Sequence, residues 1–426
     1  MPLTAAVRPA LARPVVSRET EPAVAAPRSA WWSPSAWATF AASFLTAFTI
    51  PLVGEMPVGE LVLIVVALWA GACLLFNGAL PGPLFRRPFL GLALAAQVVA
   101  FVAYVGSDLY RHSSPHDMAR GWGRMGFLAI DIVAVAYLFG CARRNFVLFI
   151  VGQELGAVVS ALLYGAMFDD LWKFGVGAPL TALVFLLVPL AGGILTALGA
   201  FAIGAAHFAL DYRSYGGLCL LVGVGTLLQL VRPQFRLWLA PLALLAVGAV
   251  VFELTGATAG TTRTSRSDIE RTAMVQAAVE AVAESPLVGH GSWFSNTDVY
   301  DNFVLIRDHM AREAHVGGFA TLNKDSRDMA LHSQILVAVA EGGVFGGVFF
   351  FVFGAGLLRA LYDLVLVQPW HRLAALCTLT LLSALWNLLF SPFSGAHRVA
   401  IALALGLILL LQDQSANPGE PNPREQ

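Results

Sequence analysis

Long apolar runs alternate with short polar or basic breaks along almost the whole chain. A helix crossing a bilayer needs about 20 apolar residues, somewhat fewer where the membrane thins, and by that measure the pattern predicts about 12 helices. They fall at roughly 35–53, 58–80, 89–106, 123–141, 145–163, 178–192, 194–211, 214–231, 237–254, 333–357, 373–390 and 398–412. Residues 178–211 read either as one long tilted helix or as two short ones around Ala191-Gly192-Gly193. The expected fold class is an all-α polytopic membrane protein with one large outer loop between helices 9 and 10. Its expected divisions are a disordered tail at 1–32, nine transmembrane helices within 33–254 and a loop with short helices at 255–331. Three more transmembrane helices within 332–412 and a disordered tail at 413–426 complete the chain.

Composition agrees with this reading. The 426 residues are 58% hydrophobic and only 12% charged, against about a quarter charged in soluble domains. A net charge of -1 points to no nucleic-acid partner. The cysteines (Cys73, Cys141, Cys219, Cys377) lie far apart in or beside apolar runs, form no CxxC pair and read as small hydrophobes. The Pro-, Ala- and Arg-rich start has no apolar stretch before a cleavage site, so no signal peptide is expected.

Basic residues set the expected orientation. Arg8, Arg13, Arg18, Arg28, Arg86, Arg87, Arg143, Arg144, Arg232, Arg236, Arg359 and Arg372 all fall on the cytoplasmic side if 178–211 crosses twice. Both termini are then cytoplasmic. The long loop, Arg213, residues 107–122 and the segment Ser391–His397 lie outside, on the periplasmic side if the cell is Gram-negative. No internal repeat is visible, which weakens a transporter reading.

In the loop, Ser267 and Glu270 read as a capping box that starts a helix, and Pro286 as its stop. Arg271, Val275, Ala278 and Val282 share one stripe of that helix. Arg271 either snorkels to water or meets a partner; the helix dipole disfavours a cation in a first turn, which favours a partner. Arg213, ahead of Gly216 and Gly217, is an interfacial anchor paired with Asp211 or a functional cation. His332, with Ser333, opens the tenth helix, either as a polar helix start or as a reactive imidazole. Below it, Gly342, Gly343, Gly346 and Gly347 allow a neighbouring helix to approach. Glu341, Asp131 and Glu154 are intramembrane acids that need a partner or a polar cavity. Arg111, Arg120 and Arg124 add positive charge at the outer side. The spacings of His309, His315, Glu313 and Asp308, and of His112 and His116, match no common zinc pattern, so no metal is expected.

Two segments together carry a resemblance. The sequence ERTAMVQAAVEAVAESPLVGHGSW, then a variable loop, then LHSQILVAVAEGGVFGGVFFF, resembles the O-antigen ligase and O-antigen polymerase superfamily. The family pattern is an arginine, a short helix, a P-L-x-G-x-G turn, then H-[NS]-x-x-L and a glutamate–glycine pair. Here these are Arg271, Pro286–Gly291, His332–Leu336 and Glu341-Gly342; Tyr212-Arg213-Ser214 matches the family's mid-chain Ser-Arg loosely, and His290 is unusual within the turn. The resemblance covers about 265–350.

It implies a glycosyltransferase that moves a polysaccharide from an undecaprenyl-diphosphate-linked donor to an acceptor hydroxyl, lipid A–core in ligases or another carrier-linked glycan in polymerases. It further implies inverting, metal-independent chemistry with no cofactor. Arg213 and Arg271 would meet the diphosphate, because arginine offers a permanently charged planar fork. His332 would be the base or orienting group, with Arg120, Arg124, Ser333 and Glu341 in support. The rival reading is a transporter or flippase for a lipid-linked or anionic substrate, using Asp131, Glu154 and Glu341. A third is a structural partner in polysaccharide assembly.

Overall fold

The computed structural model describes residues 33–52, 54–78, 82–165, 170–258, 262–294, 297–316 and 332–416. The tails expected at 1–32 and beyond 416, and the loop stretch 317–331, lie outside the described residues.

The architecture is helical. In chain order the helices are α1 (Pro34–Leu45), α2 (Val58–Asn77), α3 (Pro88–Arg111), α4 (Pro115–Cys141), α5 (Asn145–Tyr164), α6 (Gly177–Leu187), α7 (Gly193–Ala209) and α8 (Arg213–Leu230). There follow α9 (Pro233–Thr258), α10 (Thr262–Glu284), α11 (Thr297–Glu313), α12 (Gln334–Gly346), α13 (Val348–Tyr362), α14 (Ala374–Phe390) and α15 (Gly395–Ala416). Among the described residues, eight helical stretches are long and apolar enough, by length and composition, to cross a membrane. Gly193–Ala209, Gln334–Gly346 and Ala374–Phe390 are apolar but shorter. The chain is thus a multi-pass membrane protein by composition and architecture.

Residues 178–211 divide into α6 and α7, separated at Gly192, whose backbone (φ 106, ψ 167) no helix can contain. Two other expectations for helices change. The first helix stops at Leu45 rather than 53, and Thr49–Leu52 pairs antiparallel with Gly54–Pro57 as a short hairpin. Pro51 and Pro57 lack the N–H a helix interior needs, so the chain turns instead. The tenth predicted helix is two, α12 and α13, broken around Gly343 (φ 65, ψ -171) and Gly347.

The centre of the bundle is α15, 78% of whose apolar window is buried, with Ala402, Ala404 and Leu405 sealed from solvent. By contrast α9 is only 6% buried over its window, and exposed Leu242, Leu245 and Phe252 make it a peripheral helix suited to face lipid. Ion pairs mark the two ends. At one, Asp413 pairs with both Arg87 and Arg143. There too Arg236 donates to the carbonyl of Gln368 (2.6 Å), and Gln368 and Gln412 line one small cavity. The helix runs past the boundary expected at 413: α15 continues through Ala416, with Asp413 buried between two guanidiniums. At the other end Arg398 binds Glu60 through two nitrogens, at 2.9 and 2.7 Å. Of the basic residues expected to share a side, Arg87 and Arg143 meet at Asp413, and Arg236 and Arg359 lie with the Gln368 segment beside Gln412; Arg8, Arg13, Arg18 and Arg28 lie outside the described residues.

That arrangement predicts labelling. In a background without native cysteines, cysteine at exposed His116 and at exposed Arg372 should react with a membrane-impermeant maleimide from opposite faces only. Labelling of both from the same face would overturn the alternation of the helices.

Candidate functional site

The turn Pro286–Gly291 and the break in α12 are built against each other. In an unbroken helix the Ala340 carbonyl would accept from Val344. Instead it accepts the His290 N–H (2.8 Å), the Glu341 carbonyl accepts the Gly291 N–H (3.0 Å), and Val344 donates to Pro286 (2.8 Å). The Ser107 hydroxyl also donates to the Glu341 carbonyl, at 2.7 Å. Bonds lost by kinking the helix are thus replaced by bonds to the turn and to Ser107 of α3. Close approach dictates glycine here. A methyl at Gly289 would collide with the Glu341 carbonyl and one at Gly343 with that of Leu287, and both residues have positive φ. Gly342 and Gly346 lie against the Tyr104 ring of α3, as their small size led us to expect.

The Glu341 side chain completes the junction. One oxygen pairs with Arg124 of α4, and the other accepts the Trp293 N–H at 2.9 Å. Both members of the ion pair are almost completely buried. Asp108 plays a parallel role: it accepts from the Ser292 N–H (2.6 Å), the Ser292 hydroxyl (2.7 Å) and the Trp122 indole (2.8 Å). Arg111 holds the turn from outside, donating to the Gly289 carbonyl (2.9 Å) and to Ser285 Oγ (2.6 Å). The His290 ring bonds the Ala281 carbonyl at 2.7 Å, a structural contact that fixes the turn to the end of α10. Arg120, one turn above Arg124, stacks its guanidinium 3.6 Å from the centroid of the Trp293 ring.

His332 and Arg271 stand together on the exposed rim of this junction. Ser333 caps α12, its hydroxyl accepting the Leu336 N–H at 3.3 Å, and so holds His332 just outside the helix. Partial desolvation, and then the Arg271 guanidinium, hold the His332 imidazole below its ordinary pKa. Ala278 of α10 packs on Val337 and Ala340 of α12, which brings Arg271, two turns earlier, to the start of α12.

The helix carrying Arg271 differs from expectation. It begins at Thr262, so Ser267 lies within it rather than at its start. The stripe is also displaced: Ala278 is sealed, but Val275 is 45% exposed and Arg271 is exposed. The deeply buried face is Ile269, Ala273, Ala277 and Ala281, the alanines packing against Val299 and Phe303 of α11. Alanines at four-residue spacing let two helices approach closely, and the valine is left at the side.

Arg213 sits elsewhere. It opens α8 and pairs with Asp211 at 3.0 Å, beside the stacked rings of Tyr212 and Tyr215. Among the described residues no hydrogen bond or ion pair joins it to His332, Arg271 or Glu341. Gly216 does allow close approach, against Gly204 and Phe208 of α7. Asp131 is sealed beside the Glu60–Arg398 pair, and Glu154 lies near Tyr212 and Tyr215. The exposed His309 has Glu313 at 3.8 Å on α11. Asp108 and Trp293 are not among the residues expected from the sequence. A carboxylate three residues from the end of an apolar helix was a signal for the first; nothing local marked the second.

No family model matches the chain, and no curated protein matches it either.

Glu341→Gln should leave Arg124 buried without its counter-charge and lower stability by about 3–5 kcal/mol, seen as a fall in the unfolding temperature in detergent. The Arg124→Met, Glu341→Leu double variant should lose less than either single one. Equal or greater loss in the double variant would deny that the buried charges are coupled.

Proposed function

We propose that this chain is a glycan transferase of the O-antigen ligase and polymerase type, acting at the periplasmic face of a bacterial inner membrane with both termini in the cytoplasm. The observation that carries the reading is the placement of His332 beside Arg271, on two segments far apart in sequence but tied through the turn and the α12 break. In this reading the donor is a polysaccharide on undecaprenyl diphosphate and the acceptor is a hydroxyl of lipid A–core. The acceptor oxygen bonds to the anomeric carbon, the bond from that carbon to the diphosphate breaks, and the hydroxyl proton passes to the imidazole. The leaving diphosphate carries the developing negative charge, which a guanidinium stabilises. Because its pKa is lowered, His332 is neutral near pH 7 and free to accept that proton.

A transport reading is less well supported. Its acidic residues are divided between separate partners: Glu341 serves Arg124 and Trp293, while Asp131 lies beside Glu60 and Arg398. Joining of carrier-linked repeats, as in a polymerase, would use the same chemistry with another acceptor. Cells lacking a ligase accumulate carrier-linked polymer, whereas cells lacking a polymerase leave single repeats on the acceptor.

Purified protein given an undecaprenyl-diphosphate glycan and lipid A–core should transfer the glycan. His332→Ala should slow transfer about 10²–10⁴-fold; undiminished transfer by that variant would remove the base assignment.

The pH dependence has a definite sign. Activity should be lost as pH falls through the imidazole pKa, with a midpoint below the ordinary 6.5. Arg271→Gln removes the lesser of the two causes and should move that midpoint upward while the desolvation remains. A midpoint that stays put or falls in that variant would separate Arg271 from His332.

A further inference from the structure

We propose that Arg120, Trp293 and Arg124 form a half-buried subsite for a phosphate-type anion, separate from the Arg271–His332 rim. The inference rests on the proposed function only for its role, not for its existence. Two cations approach one indole: the guanidinium carbon of Arg120 lies 3.6 Å from the Trp293 ring centroid and that of Arg124 5.3 Å. Glu341 balances Arg124, and among the described residues no carboxylate pairs with Arg120. Among the unpartnered polar atoms are Tyr104 Oη, whose ring centroid lies 5.7 Å from Arg124, and three N–H donors. Arg120 Nε, Arg124 Nε and Trp293 Nε1 are sealed from solvent, and each lacks a hydrogen-bond partner. Buried donors without acceptors cost stability, and unsatisfied N–H groups beside an arginine that no carboxylate pairs among the described residues are complementary to an anion, even with the Asp108 carboxylate held on the neighbouring Ser292.

The backbone at this point adds an independent sign. Trp293 is held at φ 62, ψ 14, a left-handed conformation that is strained for a bulky side chain. Two contacts impose it: its own N–H is bound by Glu341 and the preceding Ser292 is bound twice by Asp108. The fold thus constrains the residue whose ring both guanidiniums approach. Arginine paired with an indole N–H suits the oxygens of a phosphate or diphosphate group, whether free or at the head of a lipid. On the proposed function, this subsite would hold the diphosphate of the donor or of the released carrier.

The test is calorimetric titration of the full chain in detergent with inorganic pyrophosphate, repeated in micelles containing phosphatidylglycerol. Wild type should bind pyrophosphate saturably. Arg120→Gln should weaken binding about 10- to 100-fold, Trp293→Phe less, and Arg372→Gln at the opposite end not at all. If phosphatidylglycerol competes in wild type but not in Arg120→Gln, a lipid headgroup occupies the same subsite. Arg120→Lys keeps the charge and guards against a folding defect; its affinity should fall between those of wild type and Arg120→Gln. Absence of saturable binding, or equal affinity in wild type and a folded Arg120→Gln, would overturn the subsite. Binding without glycan transfer would instead sink the proposed function and leave the subsite standing, whereas transfer without binding would do the reverse.

Discussion

A carboxylate buried near the end of a helical bundle is expensive unless its partners are fixed in place, and Glu341 meets that condition with groups from three parts of the chain. Arg124 comes from α4, the Trp293 N–H from the segment after the turn, and Ser107 reaches the Glu341 carbonyl from α3. Removing the charge from water is repaid only by such an arrangement. Everything else at this end follows from it. The helix must break where Gly343 frees its carbonyls, and the turn must enter close enough to take them. Glycine is required on both sides of that approach.

The same economy governs the rest of the bundle. Where water is excluded, a helix can be interrupted only if another backbone or side chain supplies the missing bonds. At the α12 break the turn supplies them. At the other end Arg236 supplies them, bonding the carbonyls of Val231, Gln229 and Gln368 where α8 and the end of the α13 segment leave acceptors open. Charged side chains therefore act here as caps for interrupted helices as well as ion-pair partners. Asp413 and Glu60 anchor α15 at its two ends, which suits a helix buried along most of its length.

Two chemically different layers result at the end that carries the α12 break. The rim holds an imidazole and a guanidinium that remain accessible, as groups must be if they are to meet a substrate. Beneath it lies an interlocked layer of arginine, indole and carboxylate that fixes the turn. In the proposed reaction the rim would move the proton while the inner layer holds charge in place. Preorganised charge in a water-poor site is the most effective form of electrostatic stabilisation, and a layer this constrained reorganises little.

Periodicity and length were enough to locate nearly every helix, because a spanning segment must be apolar throughout and its polar ends are abrupt. The break at Gly192 and the pairing of Asp211 with Arg213 were legible for similar local reasons. The His332–Arg271 pairing was legible as a pattern of motifs, but not as a contact. What the sequence could not supply was the bonding of Glu341, the stacking of Arg120 on Trp293, the true face of α10 and the buried end of α15. Each depends on residues tens to hundreds of positions apart, and hydrophobic patterning is blind to them. Local sequence determines which segments leave water; only the packed bundle decides which buried charges and freed backbone groups satisfy one another.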